Sequence, residues 1–385
     1  MRILLLSTSM GMGGADKLLL SAAQEMQRRN HEVLIVSLTP LGPMGLEARS
    51  VGVPTESLDM RRGWPDPRGL LGLARRVRSW KPDVLHSHMV HANLLARVLR
   101  VFVPVPVLVS TIHNIYDGGP LRMAAYRVTN PLVDLVTIVS QAAADRFVRE
   151  RIVPREMLRV IPNGLDTERF GVVSAESRES LRQSMGFEHK FVWIAVGRFE
   201  LSKDYPNMLH AFARVRQRAP DTVLLLVGQG TYREEIEALA GTLGVADGVR
   251  LAGVRNDVPE LMNAADAYLM SSAWEGMPIV LLEAASAGLP IVSTAVGGNH
   301  EVVLHEESGF LVPSRDAEAL AQAMERLMKL LPSDRHRMGE RGREHVRDHY
   351  GLNRVVDRWE AVYLELLARK GLTPASSALR VSQQA

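Results

Sequence analysis

The chain has 385 residues, 46% hydrophobic and 23% charged, with no cysteine. That length allows two domains with a core each, and the lack of cysteine excludes a disulfide framework and thiolate chemistry. Residues 1–168 carry 21 basic and 15 acidic side chains against 25 and 28 in the remainder, so the net charge of +3 hides a basic N-terminal half. Such a half points to an anionic partner, either a phosphate-bearing acceptor or an anionic membrane surface; a solvated basic face is the other reading. Nucleic-acid binding has little support, because aromatics make up only 5% of the chain and do not interleave with the basic residues. Met1–Leu6 turns polar too soon for a signal peptide, and no apolar run approaches the roughly 18 residues that span a bilayer. The expected location is cytoplasmic, either free or peripheral on the inner face of the membrane.

Taken in order, Ile3 to Ser7 reads as a strand. A glycine turn follows, Met10-Gly11-Met12-Gly13-Gly14, and then a helix from about Ala15 to Arg29. This is the opening of a doubly wound unit. The second strand, Val33 to Leu38, ends in Thr39-Pro40 with no acid, which argues against a dinucleotide-dependent oxidoreductase. Helices at Pro67–Trp80, Asn93–Val101, Leu121–Asn130 and Gln141–Arg151 alternate with strands at Val84–Ser87, Val107–Thr111 and Leu135–Val139. Alternation of this kind predicts a parallel sheet covered on both faces, with functional residues at the strand carboxyl ends. His86, His88 and His91 cluster at one such end, and His113 follows the next strand. No acid or cysteine joins them at ligand spacing, so no metal site is expected. The helix Leu70–Lys81 mixes Leu70, Leu71, Leu73, Val77 and Trp80 with Arg75, Arg76, Arg78 and Lys81. It is either a membrane-surface helix or a core helix with a basic outer face. Pro162-Asn163-Gly164 is turn chemistry and ends the first series.

A second series has strands at Val192–Val196, Val223–Val227, Val249–Leu251, Ala267–Met270, Ile291–Thr294 and Gly309–Val312. Three helical patterns follow Asp316. The last, about Arg354 to Lys370, has Val355, Trp359, Val362, Tyr363 and Leu366 on one stripe. The Ser- and Gln-rich end after Leu372 is expected to be disordered. Two stretches of the second series carry chemistry. The first strand ends in Gly197-Arg198, with Lys203 following; alone such a cation pair would read as solvated, but at the carboxyl end of a first strand it marks a candidate site. Gly228-Gln229-Gly230 ends the next strand and is expected to line the same cleft. The densest motif lies in Ser271–Glu301. Glu275 stands in a loop, Gly276-Met277-Pro278 follows, and Glu283 sits on an otherwise apolar helix. A carboxylate among Ile279, Val280, Leu281, Leu282 and Ala284 needs a partner. Pro278 fits the first helical position, and the N–H groups of Ile279, Val280 and Leu281 would form an anion site. Val296-Gly297-Gly298-Asn299 closes the motif.

The Glu-x7-Glu spacing around Gly276-Met277-Pro278 resembles the donor-site signature of retaining glycosyltransferases of family 4. The resemblance extends over nearly the whole chain. It implies the GT-B fold, two Rossmann-like α/β domains facing each other across a cleft. The division would be an acceptor-binding domain at 1–169, joined by a terminal helix at 354–370, and a donor-binding domain at 170–353, with a boundary near Phe170 and a tail at 371–385. Pro162-Asn163-Gly164-Leu165-Asp166 resembles the family's interdomain linker. The implied reaction moves a hexose or N-acetylhexosamine from a nucleoside diphosphate sugar, UDP by family frequency, to a glycan or lipid-linked acceptor in bacterial cell-surface polysaccharide synthesis. By the same resemblance the catalytic residues are Glu275, His113, Arg198 and Lys203. The donor-binding residues are Gly13, Gly14, Arg198, Lys203, Val254, Glu275, Gly276, Met277, Pro278, Ile279, Val280 and Glu283, with Val254 at the nucleotide base and Glu283 at the ribose. No Asp-x-Asp occurs, so Arg198, Lys203 and the helix start are expected to replace a metal, and no cofactor is implied. The alternatives are a GDP-mannose-dependent transferase, a phosphorylase of the same fold, which would need a Schiff-base lysine motif, and an inactive nucleotide-sugar-binding module.

Overall fold

The computed structural model describes residues 1–61, 66–115, 118–171 and 173–373. Part of the expected disordered tail, from residue 374 onward, lies outside the described residues. In chain order the first series is β1 (Arg2–Ser7), α1 (Gly14–Arg28), β2 (Glu32–Ser37), α2 (Pro43–Ser50), β3 (Thr55–Ser57), α3 (Pro67–Trp80), β4 (Val84–His88), α4 (Val90–Leu99), β5 (Val107–Ile112), α5 (Pro120–Thr129), β6 (Leu135–Ile138), α6 (Gln141–Arg149) and β7 (Leu158–Val160). The second is α7 (Ala175–Ser184), β8 (Phe191–Val196), α8 (Tyr205–Arg218), β9 (Thr222–Val227), α9 (Arg233–Thr242), β10 (Val249–Gly253), α10 (Val258–Ala264), β11 (Ala267–Met270), α11 (Ile279–Ser286), β12 (Ile291–Thr294), α12 (Asn299–Val302), β13 (Gly309–Val312), α13 (Ala317–Lys329) and α14 (Pro332–Tyr350). The helix α15 (Leu352–Arg369) ends the described chain.

The chain divides into two compact units, Met1–Gly164 with Leu352–Ala385, and Leu165–Gly351. The first holds a parallel sheet in the order β3-β2-β1-β4-β5-β6-β7. The second holds a parallel sheet in the order β10-β9-β8-β11-β12-β13. Both sheets are therefore doubly wound, with their order reversing beside the first strand of each series. Strands such as β5 and β9 are buried along their whole length, which explains the apolar run Val223–Val227 in β9 and means that Ser110 and Thr111 of β5 are buried polar residues. The turn Thr167–Phe170 packs on α11, which keeps it with the second unit.

The terminal helix α15 buries Val355, Trp359, Val362, Tyr363 and Leu366 in the first unit. Its Glu360 takes Arg29 Nη1 at 2.7 Å and His31 Nε2 at 2.6 Å, and its Glu365 takes Arg159 Nη1 at 2.7 Å. The core-helix reading of α3 fits better than the membrane-surface one. Leu73 and Val77 are buried, Leu70 and Trp80 pack on the same core, and only Leu71 remains an exposed large apolar residue on that helix. Arg75 and Arg78 form its solvated outer face, while Arg76 pairs with Glu56.

Candidate active site

In an open parallel sheet, ligands bind beyond the strand carboxyl ends where the strand order reverses. In the second unit that point lies between β8 and β11. β8 delivers the loop Gly197–Lys203, and β11 delivers the loop Ser271–Pro278. Their side chains meet there: Lys203 Nζ lies 2.6 Å from Glu275 Oε1. Ser272 Oγ donates to the same oxygen at 2.7 Å. The loops are also tied through backbone. Ala273 N–H donates to Ser202 O at 2.8 Å, and Ser271 Oγ donates to Lys203 O at 2.8 Å. The Lys203 and Glu275 side chains are 19% and 13% exposed, so each needs its partner. An ammonium has three protons and a carboxylate two oxygens. The pair thus keeps donors and acceptors for a ligand holding both anionic and hydroxyl groups.

Glu283 lies on α11 and is 3% exposed. Two details of the helix start differ from the sequence reading. Pro278 is the residue before the helix, extended at φ −73° and ψ 119°, and Ile279 is the first helical residue. The Pro278 carbonyl accepts the Leu281 N–H at 3.1 Å, so Leu281 is withdrawn from the expected trio of free amides. Gly288 ends the segment with φ +72°, a conformation that favours glycine.

Two tyrosines beside the acids escaped sequence reasoning. Tyr268 lies within the core strand β11, and Tyr205 opens α8, so both read as packing residues. Both are buried, and burial first, then nearby acids, pushes their hydroxyls above the usual phenol range; Glu275 acts on both and Glu283 on Tyr268. They remain neutral donors. Tyr268 donates to Val196 O at 3.2 Å and Tyr205 to Gly197 O at 3.4 Å, which braces the end of β8.

Glycines set how closely these loops pack. Gly297 has φ +53°, and a Cβ there would stand 2.0 Å from Glu275 O. Gly298 N–H donates to Gly276 O at 2.7 Å. The Val296–Asn299 turn is thus the support of the Glu275 loop. Gly228 and Gly230 serve the other loop: a Cβ would lie 1.9 Å from Gly197 O and 2.2 Å from Phe199 O respectively. Their close approach to backbone, expected to line a cleft, props the Gly197–Lys203 loop from behind. Val254 follows Gly253 on β10 and is half exposed.

Not every expected residue joins this cluster. Arg198 turns to solvent, 72% exposed, and pairs with Glu200 at 2.7 Å. Gly13, Gly14 and His113 belong to the first unit. Gly13 N–H is not bare, since it donates to Asp16 Oδ2 at 3.1 Å, while Gly14 begins α1 and is exposed. His113 Nε2 lies 3.0 Å from His88 Nδ1. The histidine trio expected from sequence is in fact His86, His88 and His113, with His91 at the surface.

Two family models match the chain: Glycosyltransferase Family 4 over residues 12–169, and Glycosyl transferases group 1 over residues 177–345. The chain belongs to the family 4 glycosyltransferases. It is a hexosyltransferase with the GT-B fold. Among similar proteins is UDP-Gal:alpha-D-GlcNAc-diphosphoundecaprenol alpha-1,3-galactosyltransferase of Escherichia coli, 26% identical over 323 residues, which are 79% of this chain and 81% of that protein. A GDP-mannose-dependent alpha-(1-6)-phosphatidylinositol monomannoside mannosyltransferase of Mycolicibacterium smegmatis is 32% identical over 238 residues, 60% of this chain and 61% of the relative. Among solved structures, Anabaena HepE in complex with UDP has a TM-score of 0.83 at 22% identity, covering 95% of this glycosyltransferase and all of the other chain.

Proposed function

We propose that this glycosyltransferase moves a hexose or N-acetylhexosamine from a UDP-sugar to a glycan or lipid-linked acceptor, with retention of configuration and without a metal. The observation that carries the reading is the Lys203–Glu275 pair at the sheet's switch point. Lys203 meets the charge that builds on the diphosphate as the bond from the anomeric carbon to phosphate oxygen breaks. The sugar bears partial positive charge at that moment, and Glu275 lies where a fixed carboxylate favours it. The acceptor oxygen bonds to the same face of the anomeric carbon, and its proton passes to the departing phosphate oxygen. No separate base is needed. Arg198 reaches the diphosphate after leaving Glu200, and Glu283 takes the ribose hydroxyls. Val254 meets the base; for His113 and Gly14, which belong to the first unit, the family resemblance alone supports a role toward the transferred sugar and the donor.

The choice of UDP rests on the UDP-galactose named for the Escherichia coli relative and on HepE structures with UDP and UDP-glucose. The mannosyltransferase relative favours GDP-mannose as the second reading. Incubation with a panel of UDP- and GDP-sugars, followed by mass spectrometry of donor hydrolysis, decides between them. The metal-free reading expects unchanged turnover in EDTA; loss in EDTA with recovery on Mg²⁺ or Mn²⁺ refutes it.

No described helix is long and apolar enough to cross a membrane. A lipid-linked acceptor would be met at an anionic membrane surface by the basic first unit. There α5 leaves Leu121 and Val128 exposed beside Arg122 and Arg127. Sedimentation with anionic vesicles at low salt tests this; protein left wholly in the supernatant refutes it.

A further inference from the structure

A cavity of about 410 Å³ in the second unit is lined by Leu201, Asp204, Asn207, Ala273, Trp274 and Arg315. None of these residues has a part in the donor chemistry above. We infer that this cavity is a second carbohydrate site, one that holds a neutral pyranose ring of a glycan against the Trp274 indole. The inference goes beyond the proposed donor reaction and does not depend on its mechanism.

Four features carry it. Trp274 is 38% exposed and Leu201 63% exposed, so a flat aromatic surface and an apolar neighbour stand open to solvent. A pyranose offers a matching apolar face of C–H groups. Asn207 is 7% exposed, and its Nδ2 has no hydrogen-bond partner among the described residues. A buried amide donor without an acceptor costs free energy, so it calls for a ligand oxygen. Asp204 and Arg315 supply a carboxylate and a guanidinium, neither of which forms an ion pair among the described residues. One acceptor-only group and one donor-only group together suit hydroxyls, which donate and accept. The opposed charges also disfavour a strongly anionic or cationic ligand. The site is built rather than incidental. Asp204, with φ +48°, caps α8, and Ala273 N–H joins the two lining loops through Ser202 O at 2.8 Å.

These loops are those that carry Lys203 and Glu275, so a glycan held here would stay beside the enzyme between transfers.

The test is saturation-transfer NMR on the whole protein with maltotriose, chitotriose and an α-linked mannotriose. UDP is present at saturation. At least one trisaccharide should receive saturation. Trp274→Ala should weaken its binding about tenfold. Arg315→Ala, at an exposed position remote from the core, should weaken it severalfold while calorimetric UDP affinity stays unchanged. Absence of transfer to all three sugars overturns the inference. So does transfer that survives in both variants, because the sugar then sits elsewhere. Should Trp274→Ala fail to fold, Arg315→Ala with Asn207→Leu gives the same decision.

Discussion

The carboxyl ends of the two sheets are alike in architecture and opposite in electrostatics. In the second unit the edge holds ions: Lys203 and Glu275 are paired at 2.6 Å, with Glu283 buried behind them. In the first unit the edge holds neutral rings. His86 Nδ1 meets Tyr363 OH at 2.6 Å, His86 Nε2 meets Thr111 Oγ1 at 2.6 Å, and His88 joins His113 at 3.0 Å. Burial pushes His86 down to about 3 and His113 down to about 4, and His88 well below the usual imidazole range. Neighbouring imidazoles add to the shift at His86 and His88, and Asn163 opposes it at His113. The lesson is that desolvation decides by default against charge. An imidazole yields by losing its proton, whereas a buried acid needs partners fixed beside it, as Lys203 and Ser272 are beside Glu275.

The sharpest way to break this contrast is to discharge the second edge. Glu275→Gln keeps the shape but removes the charge, and kcat should fall by about 10²- to 10³-fold with calorimetric UDP affinity within twofold. Wild-type kcat would show that the ion pair only braces the loops. Glu283→Ala should act on binding instead, raising the donor KM by roughly 10- to 100-fold through the loss of a charged hydrogen bond. An unaltered KM removes Glu283 from the ribose. Support of the edge is tested by Gly297→Ala. The new Cβ, 2.0 Å from Glu275 O at φ +53°, should cost about 2–3 kcal/mol in urea unfolding and lower activity with it. A variant as stable as the parent would mean that the turn moves freely.

The smallest expected effect lies in the first unit. Its histidines have folded pKa values below the unfolded value of about 6.5, so the unfolded chain binds more protons between the two. Their contribution to stability is present above pH 6.5 and is lost as pH falls toward about 4 for His113 and about 3 for His86. Hydrogen exchange at pH 7 and pH 5, corrected for intrinsic rates, should show protection falling in β4, β5 and α15 while β8 and β11 hold. Equal loss in both units would assign the acid sensitivity to other groups.

The sequence alone determined the doubly wound architecture, because strand and helix periods alternate and each strand ends in turn chemistry. It also picked out Glu283, an acid on an otherwise apolar helix, while the roles of Glu275 and Lys203 were legible only through their resemblance to the family's donor-site motifs. Short or polar elements were not legible. β3 has three residues and no period to read. The polar helix α7 is held by tertiary contacts, with Arg178 on Asp266 at 2.7 Å and Arg182 on Ala264 O at 2.8 Å. Only the tertiary structure decided which residues meet. Lys203 and Glu275 are far apart in sequence and touch because β8 and β11 are neighbours where the strand order reverses. Arg198, on the same loop as Lys203, pairs with Glu200 instead. Tyr363 reaches His86 because α15 returns to the first sheet. Periodicity is a property of neighbours along the chain, whereas a site is made by neighbours in space, and strand order alone converts one into the other.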